Sequence, residues 1–382
     1  MTRLAETRLA EAWPATLLEQ QLDWDKIASV MPFAEAMASC PQDAVYHAEG
    51  NVWTHTRMVV EALHEDQEYN ALPETRRHAL TLAAFLHDIA KPLTTVREWD
   101  EAEQRERVRQ PNHAKIGARM AWQALWQAGV PIAQRLSVYW LIAWHQRVFH
   151  LWTDPKMLRQ AITYSLVGNW RDLLILAKAD NRGRLSPNVG GTEDTLSLLS
   201  MWLDEEGVLD RPWPFADPAS TREFLEKSER SPHYAARQPE GSKVVVLAGL
   251  PGVGKDTYAR TALPDHAVVS LDALRASMNV DPRDDQGAVI QAAFERARQH
   301  LRAKRAFVWN ATNITRTTRE KIVGLARAYD AHVSIHVIER PLATILQQNK
   351  ERAASVPEAV IHSLIRKWEP PSLLEAHEVM WI

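Results

Sequence analysis

Cysteine is nearly absent from this 382-residue sequence: the single Cys40 cannot form an internal disulfide and cannot build a thiolate metal cluster. Also missing is any N-terminal apolar run of signal-peptide or membrane-span length, so the expectation is a cytoplasmic chain with no membrane partner. Neither sign of charge dominates. A net charge of −3 gives no global pull on nucleic acid, so such a partner has to be held by local basic residues near a site. Proline and glycine show no excess of the kind that marks disorder, and no internal repeat or low-complexity segment is present. What remains is the composition of a folded globular protein, 46% hydrophobic and 24% charged, in a chain longer than one hydrophobic core usually serves. About two domains are expected.

The first part reads as helix after helix, with apolar residues at three- and four-residue spacing over Thr54 to Glu65, Ala79 to Ile89, His113 to Ala128, Ile132 to Gln146 and Trp170 to Asn181. Lys91-Pro92 stops one helix, and Gly129 with Pro131 stops another. Residues 1–212 are therefore read as an all-α domain. Residues 213–242, with Pro214, Pro218, Pro232 and Pro239 among charges, read as a Pro-rich linker carrying one short helix near Thr221 to Ser228. In 243–382, strand-like runs at Lys243 to Ala248, Ala267 to Leu271, Ala306 to Asn310 and Val333 to Ile338 alternate with helical patterns. That alternation is the signature of a parallel α/β sheet. The fifteen tryptophans fall mostly within amphipathic helices, where packing is the expected role.

Six polar residues interrupt apolar helix faces in the first domain. His55 shares a face with Val59 and Ala62, His87 with Leu80 and Ala84, His113 with Gly117 and Met120, His145 with Val138 and Leu141, and Asp180 with Leu173 and Ala177. Asp88 follows His87 directly. Buried carboxylates and imidazoles are costly unless paired or bound to metal. Four His and two Asp form an N and O ligand set suited to Mn, Fe, Co, Ni or Zn. One or two divalent metals are expected, with open positions for hydrolysis. Lys91 and Arg184 are candidates to hold a substrate phosphate. His47, His64, His78 and His150 fall outside the pattern and read as structural or surface residues.

The strings HAEGNVWTHT and AAFLHDIAKP resemble the HD-domain phosphohydrolases, and the former also resembles the HD region of bacterial tRNA CCA-adding enzymes. The resemblance implies that His55, His87, Asp88 and Asp180 hold a first metal. His113 and His145 match the additional histidines of members that hold two.

After the strand ending at Ala248 stands GLPGVGKDT, with the P-loop spacing at Gly249, Gly254 and Lys255, and Gly252 between. Glycines let backbone N–H groups wrap a phosphate, the following helix N-terminus favours its charge, and Lys255 reaches the β- and γ-phosphates of ATP held with Mg²⁺. The residue after the lysine, usually Ser or Thr, is Asp256, with Thr257 next. The strand that commonly ends in an acid reads FVWNATN, so the carboxylate is inferred to have moved from Asn310's position to the P-loop. In SLDALR, Asp272 and Arg275 share a helix face one turn apart. This string resembles the phage-type 5′-polynucleotide kinases, which implies that Asp272 is the general base for a 5′-OH and that Arg275 contacts the acceptor's phosphate. NKERAASVPEAVIHSLIRKWEPP resembles their helical lid and implies that Arg352 lies on the ATP phosphates. Arg316 and Arg319 rank no higher than surface charge.

In this order the two motif sets resemble the bacterial HD-polynucleotide-kinase end-healing proteins. That implies removal of 2′, 3′ or 2′,3′-cyclic phosphate by the first domain and 5′ phosphorylation of RNA or DNA ends by the second, with a separate ligase as partner. Two alternatives remain open from the residues: an HD nucleotidase fused to a small-molecule kinase, and an HD hydrolase regulated by an ATP-binding module.

Overall fold

A computed structural model describes residues 13–19, 21–187, 189–281, 283–351 and 355–382. The chain divides into two compact units, residues 1–213 and 214–382.

In the first unit, Asn51 caps helix α1 (Val52–Glu65) by accepting from the Thr54 amide at 2.8 Å, which sets His55 one turn inside the helix. Helix α2 (Glu74–Leu86) is buried along most of its second half and ends at the His87–Asp88 pair. Helices α3 (His113–Gln127) and α4 (Ile132–Trp144) pack as neighbours, α4 also packs on α2, and α5 (Trp170–Arg182) lies against α1. The core includes Leu63, Phe85, Trp122 and Trp170, all fully buried. Each such side chain contributes roughly 1.5–3 kcal/mol by leaving water.

The helical reading of this unit omits one element. Strands β1 (Val96–Asp100) and β2 (Arg105–Arg109) form an antiparallel hairpin between α2 and α3. No apolar alternation announces it, because both strands are largely solvent-exposed and are joined by charge. Arg97 pairs with Glu106 at 3.1 Å, Arg109 with Glu98 at 2.6 Å and Arg107 with Asp100 at 3.1 Å. Its Trp99 is exposed, unlike the buried Trp122, Trp170 and Trp368.

The second unit holds a five-stranded parallel sheet of order β4-β5-β3-β6-β7, with β3 (Lys243–Ala248), β4 (Ala267–Ser270), β5 (Phe307–Asn310), β6 (His332–Val337) and β7 (Glu378–Trp381). Helices α6 (Lys255–Ala262), α7 (Leu271–Met278), α8 (Gly287–Arg302), α9 (Arg316–Arg327), α10 (Leu342–Glu351) and α11 (Glu358–Ile365) intervene. Strand β7 escapes the sequence reading because it is short and half-exposed at the sheet edge.

The stretch read as a linker is part of this unit. Its helix, Pro218–Glu226, buries Phe224 and Arg222, and Arg222 donates to the Leu373 carbonyl at 3.2 Å. Glu226 pairs with Arg327 at 2.6 Å, and the Gly241 amide donates to Asp330 O at 2.8 Å. Proline here fixes turns and a helix start rather than a free spacer. Arg319 is likewise no surface charge: fully buried, it donates to both Glu375 oxygens at 2.6 and 2.9 Å and to two backbone carbonyls.

Among the described residues, no helix is long and apolar enough to cross a membrane.

Candidate functional site

The helices of the first unit bring His55, His87, Asp88, His113, His145 and Asp180 together. His87 and His145 occupy the C-caps of α2 and α4. The last carbonyls of a helix lack intrahelical N–H partners. Each of these rings supplies one, with Nδ1 at 2.8 Å from Ala84 O in His87 and 2.7 Å from Ile142 O in His145. His113 repeats the bond with Gln110 O at 2.7 Å, and His55 Nδ1 lies 3.0 Å from Gly183 O. A carbonyl only accepts, so every Nδ1 is the donor and each Nε2 is left for other work.

Those Nε2 atoms converge on the carboxylates. His55 Nε2 is 3.1 Å from Asp180 Oδ1, His87 Nε2 is 3.1 Å from Asp88 Oδ2, and His113 Nε2 is 3.4 Å from Asp88 Oδ1. The Nε2 atoms of His113 and His145 stand 3.2 Å apart. His87 Nε2, both Asp88 oxygens and Asp180 Oδ2 are buried without a hydrogen bond of good geometry. Unsatisfied buried polar atoms of this kind are costly. A cation among them would satisfy them together, so the residues fit a metal. Three groups of described residues have donor atoms all within 4.8 Å of one another: His47, Glu49 and His55 behind the centre, and two within it, His55, His87 and Asp88, and Asp88, His113 and His145. Asp88 is common to the latter two.

Electrostatics agree with this chemistry. Burial works to raise the Asp88 carboxyl, but His87 and Lys91 hold it well below the usual carboxylate range. Burial is likewise overcome at Asp180, by Arg184 and His55. Burial, reinforced by His113 and His87, pushes His145 down to about 3, and burial lowers His113. These two rings are thus neutral and able to ligate. His55 differs: against burial, its bonds to Asp180 and Glu49 raise it above its ordinary value.

Lys91 is buried, with its ammonium 2.7 Å from Asp88 Oδ2 and bonded to Gln42 Oε1 at 2.6 Å. Arg184 donates to Asp180 Oδ1 at 2.6 Å and lies over the Phe149 ring. Sequence reasoning missed Glu49 and His47, which stand directly behind His55. Their signal was present in HAEGNVWTHT, but no helical periodicity extends to residues before α1.

In the second unit, β3 runs into a loop where Gly249 has φ +157° and a Cβ there would lie 2.5 Å from Ile338 O. Gly254, at φ +94°, caps α6 in the left-handed region that favours glycine. Lys255 Nζ donates to the loop carbonyls of Gly249 and Leu250 at 2.9 and 2.8 Å. Asp256 Oδ1 accepts from Asn310 Nδ2 at 2.6 Å, so the P-loop acid touches the end of β5. Thr257 is exposed on the same turn. Ser270 caps α7, where Asp272 is exposed and paired with Arg275. Arg275 also donates to Gln286 Oε1 at 2.6 Å. Buried Asn349 of α10 bonds Val356 through both the N–H and the C=O of its side-chain amide. Arg352 lies outside the described residues.

Residues 52–164 match the family model described as HD domain, and residues 244–371 match that described as AAA domain. The chain is 23% identical over 135 residues to an L-seryl-tRNA(Sec) kinase of Methanococcus maripaludis, a match covering 34% of this chain and 53% of that protein. The chain thus spans about half the length of this curated relative. It also matches the solved structure of a gluconokinase from Sinorhizobium meliloti 1021, at 18% identity and a TM-score of 0.28, covering 38% of this chain and 83% of the other.

Metal binding at this HD centre would compete with protonation of His55, which its bonds to Asp180 and Glu49 favour against burial. Mn²⁺ titrations of the metal-free chain at about pH 6.5 and about pH 8.5 should therefore give tighter binding at the higher pH, with proton release on uptake. Equal affinity at both values would contradict the assignment.

Proposed function

We propose that this chain heals nucleic-acid ends, the HD domain removing a 2′, 3′ or 2′,3′-cyclic phosphate and the P-loop domain transferring the γ-phosphate of ATP to a 5′-OH. The observation that carries this reading is the paired Asp272 and Arg275 on the turn after β4. A nucleotide-binding regulatory module has no need of an acceptor base beside a guanidinium. An acceptor that itself carries a phosphate needs both.

In the kinase step, Asp272 takes the proton of the acceptor hydroxyl as its oxygen bonds to the γ-phosphorus and the bond to ADP breaks. Lys255 offsets charge on the transferred group, and Gly249, Gly252 and Gly254 shape the loop for backbone contact with phosphate. Arg275 holds the phosphate 3′ to the acceptor nucleoside, in the orientation that Gln286 gives it. Asp256 would be the protein carboxylate that holds the Mg²⁺ accompanying the nucleotide. Arg352 remains the proposed lid arginine. The kinase relative named for L-seryl-tRNA(Sec) supports an acceptor attached to RNA.

In the HD domain, His55, His87, Asp88 and Asp180 would hold one metal and His113 and His145, sharing Asp88, a second. Divalent metal supplies activation of water and neutralisation of phosphoryl charge. Arg184 and Lys91, which pair with Asp180 and Asp88, would meet a substrate phosphate. The products, 3′-OH and 5′-phosphate, are what a separate ligase consumes.

Three outcomes are expected. Asp88→Ala should abolish 3′-end phosphate removal and leave 5′ phosphorylation nearly intact, with Lys255→Ala doing the reverse; loss of both activities from either change in a folded chain would contradict independent centres.

A nucleoside 3′-monophosphate should be a far better kinase substrate than the plain nucleoside, and Arg275→Ala should narrow the gap by removing a contact worth roughly 1.5–3 kcal/mol. Equal use of both by the unaltered chain would favour a small-molecule kinase.

Asp256→Asn should raise the Mg²⁺ concentration needed for half-maximal kinase rate, because the charged ligand is lost. Asp256→Ser should also be impaired, and adding Asn310→Asp should recover part of the loss, since Asn310 already touches Asp256. An unchanged Mg²⁺ dependence in Asp256→Asn would end the reading of a relocated carboxylate.

A further inference from the structure

The segment before α1 contains a buried acid that the hydrolytic chemistry does not use. The Glu49 side chain is 1% exposed. Its Oε1 lies 2.7 Å from His47 Nδ1 and 3.0 Å from His55 Nδ1, and its Oε2 accepts from the Leu185 amide at 2.9 Å. The Ala48 amide in turn donates to Leu185 O at 3.0 Å. His47 packs edge-on against His55 with ring centroids 4.9 Å apart. Gly50, at φ +108°, turns the chain between this acid and the cap of α1.

Glu49 therefore ties three things to one carboxylate: the back of the His55 ring, the His47 ring and the loop at residues 183–185. The same loop supplies Gly183 O to His55 and Arg184 to Asp180. A carboxylate taken out of water is costly, and a purely architectural closure of this loop is achieved more cheaply by apolar packing. The acid is aimed instead at the nitrogen of His55 that faces away from Asp88 and Asp180. From that position an outer carboxylate fixes the tautomer and orientation of a metal-binding imidazole and raises its basicity.

We propose that Glu49, supported by His47, is a positioning residue of the metal centre that sets its affinity through His55. This rests on the reading of His55 as a metal ligand. Glu49 holds the ring so that Nε2 faces Asp180 at 3.1 Å and Asp88 at 3.8 Å, and it holds the loop so that Arg184 stays on Asp180. His47 donates the bond that keeps Oε1 in place beneath the ring.

The test is a Mn²⁺ titration of the metal-free full chain, read by the free-ion electron paramagnetic resonance signal, together with thermal unfolding of the same metal-free samples. Glu49→Gln keeps the shape and removes the charge. It should weaken Mn²⁺ binding by about 10- to 100-fold while the metal-free unfolding temperature stays close to that of the parent. Affinity within twofold of the parent would overturn the proposal. His55→Ala run alongside separates the two layers of inference: unchanged binding there sinks the ligand reading itself, whereas loss there with full affinity in Glu49→Gln sinks only the positioning role. Should Glu49→Gln fail to fold, His47→Phe decides. It keeps a ring against His55 and removes the bond to Glu49, so a several-fold weakening supports the proposal and an unchanged affinity overturns it.

Discussion

The bond from an imidazole Nδ1 to a backbone carbonyl recurs four times around one small volume, and the first unit is organised to make it. Helix ends leave carbonyls without partners, and His87 and His145 sit where such carbonyls are found. Satisfying them fixes each tautomer, which turns each Nε2 toward Asp88 or Asp180. The helices α2, α4 and α5 are packed through fully buried side chains such as Phe85, Val138 and Leu173, so ring positions are set by the core. Charge then follows position. Buried Asp88 and Asp180 stay ionised because cationic and imidazole groups surround them, while His145 and His113 stay neutral because burial penalises their charge.

The second unit meets a different demand, since its phosphate groups arrive with the substrate. Its loop is shaped by backbone, with Gly249 pressed against Ile338 O, and by the tie from Gly249 N to Thr312 O at 2.9 Å. The contact between Asp256 and Asn310 gives this loop its own acid beside a strand end that carries an amide. Below it, Arg319 and Glu375 form a buried pair that anchors α9 to the segment leading into β7. Removing one partner of such a pair leaves an uncompensated charge, so both are expected to tolerate change poorly.

Much of this was legible in the residues. Apolar spacing located α1 to α5 and four strands of the sheet, and polar interruptions of those faces located the six residues that meet in space. The P-loop was read from its spacing, whereas Asp272 and Arg275 were placed on one helix face by spacing and given their roles by the resemblance to phage-type 5′-polynucleotide kinases. What stayed hidden has physical reasons. The β1–β2 hairpin is held by cross-strand ion pairs rather than apolar alternation, so no periodicity reports it. Arg319 carries the same charge whether exposed or buried, and only the fold brings Glu375 to it. Prolines 214 to 239 signal turns equally well in a spacer and in a packed segment. Glu49 and His47 lie outside any helix, where residue spacing carries no information about which side chain faces which.

In the proposed function both domains act on one nucleic-acid molecule. The most direct measurement is a single reaction of the full chain with an RNA bearing a 5′-OH and a 2′,3′-cyclic phosphate, in the presence of ATP, Mg²⁺ and Mn²⁺, with both ends analysed. The account predicts a 5′-phosphate and loss of the cyclic phosphate on the same strand; an RNA recovered with both ends unchanged, by a chain that still binds nucleotide and metal, would contradict it.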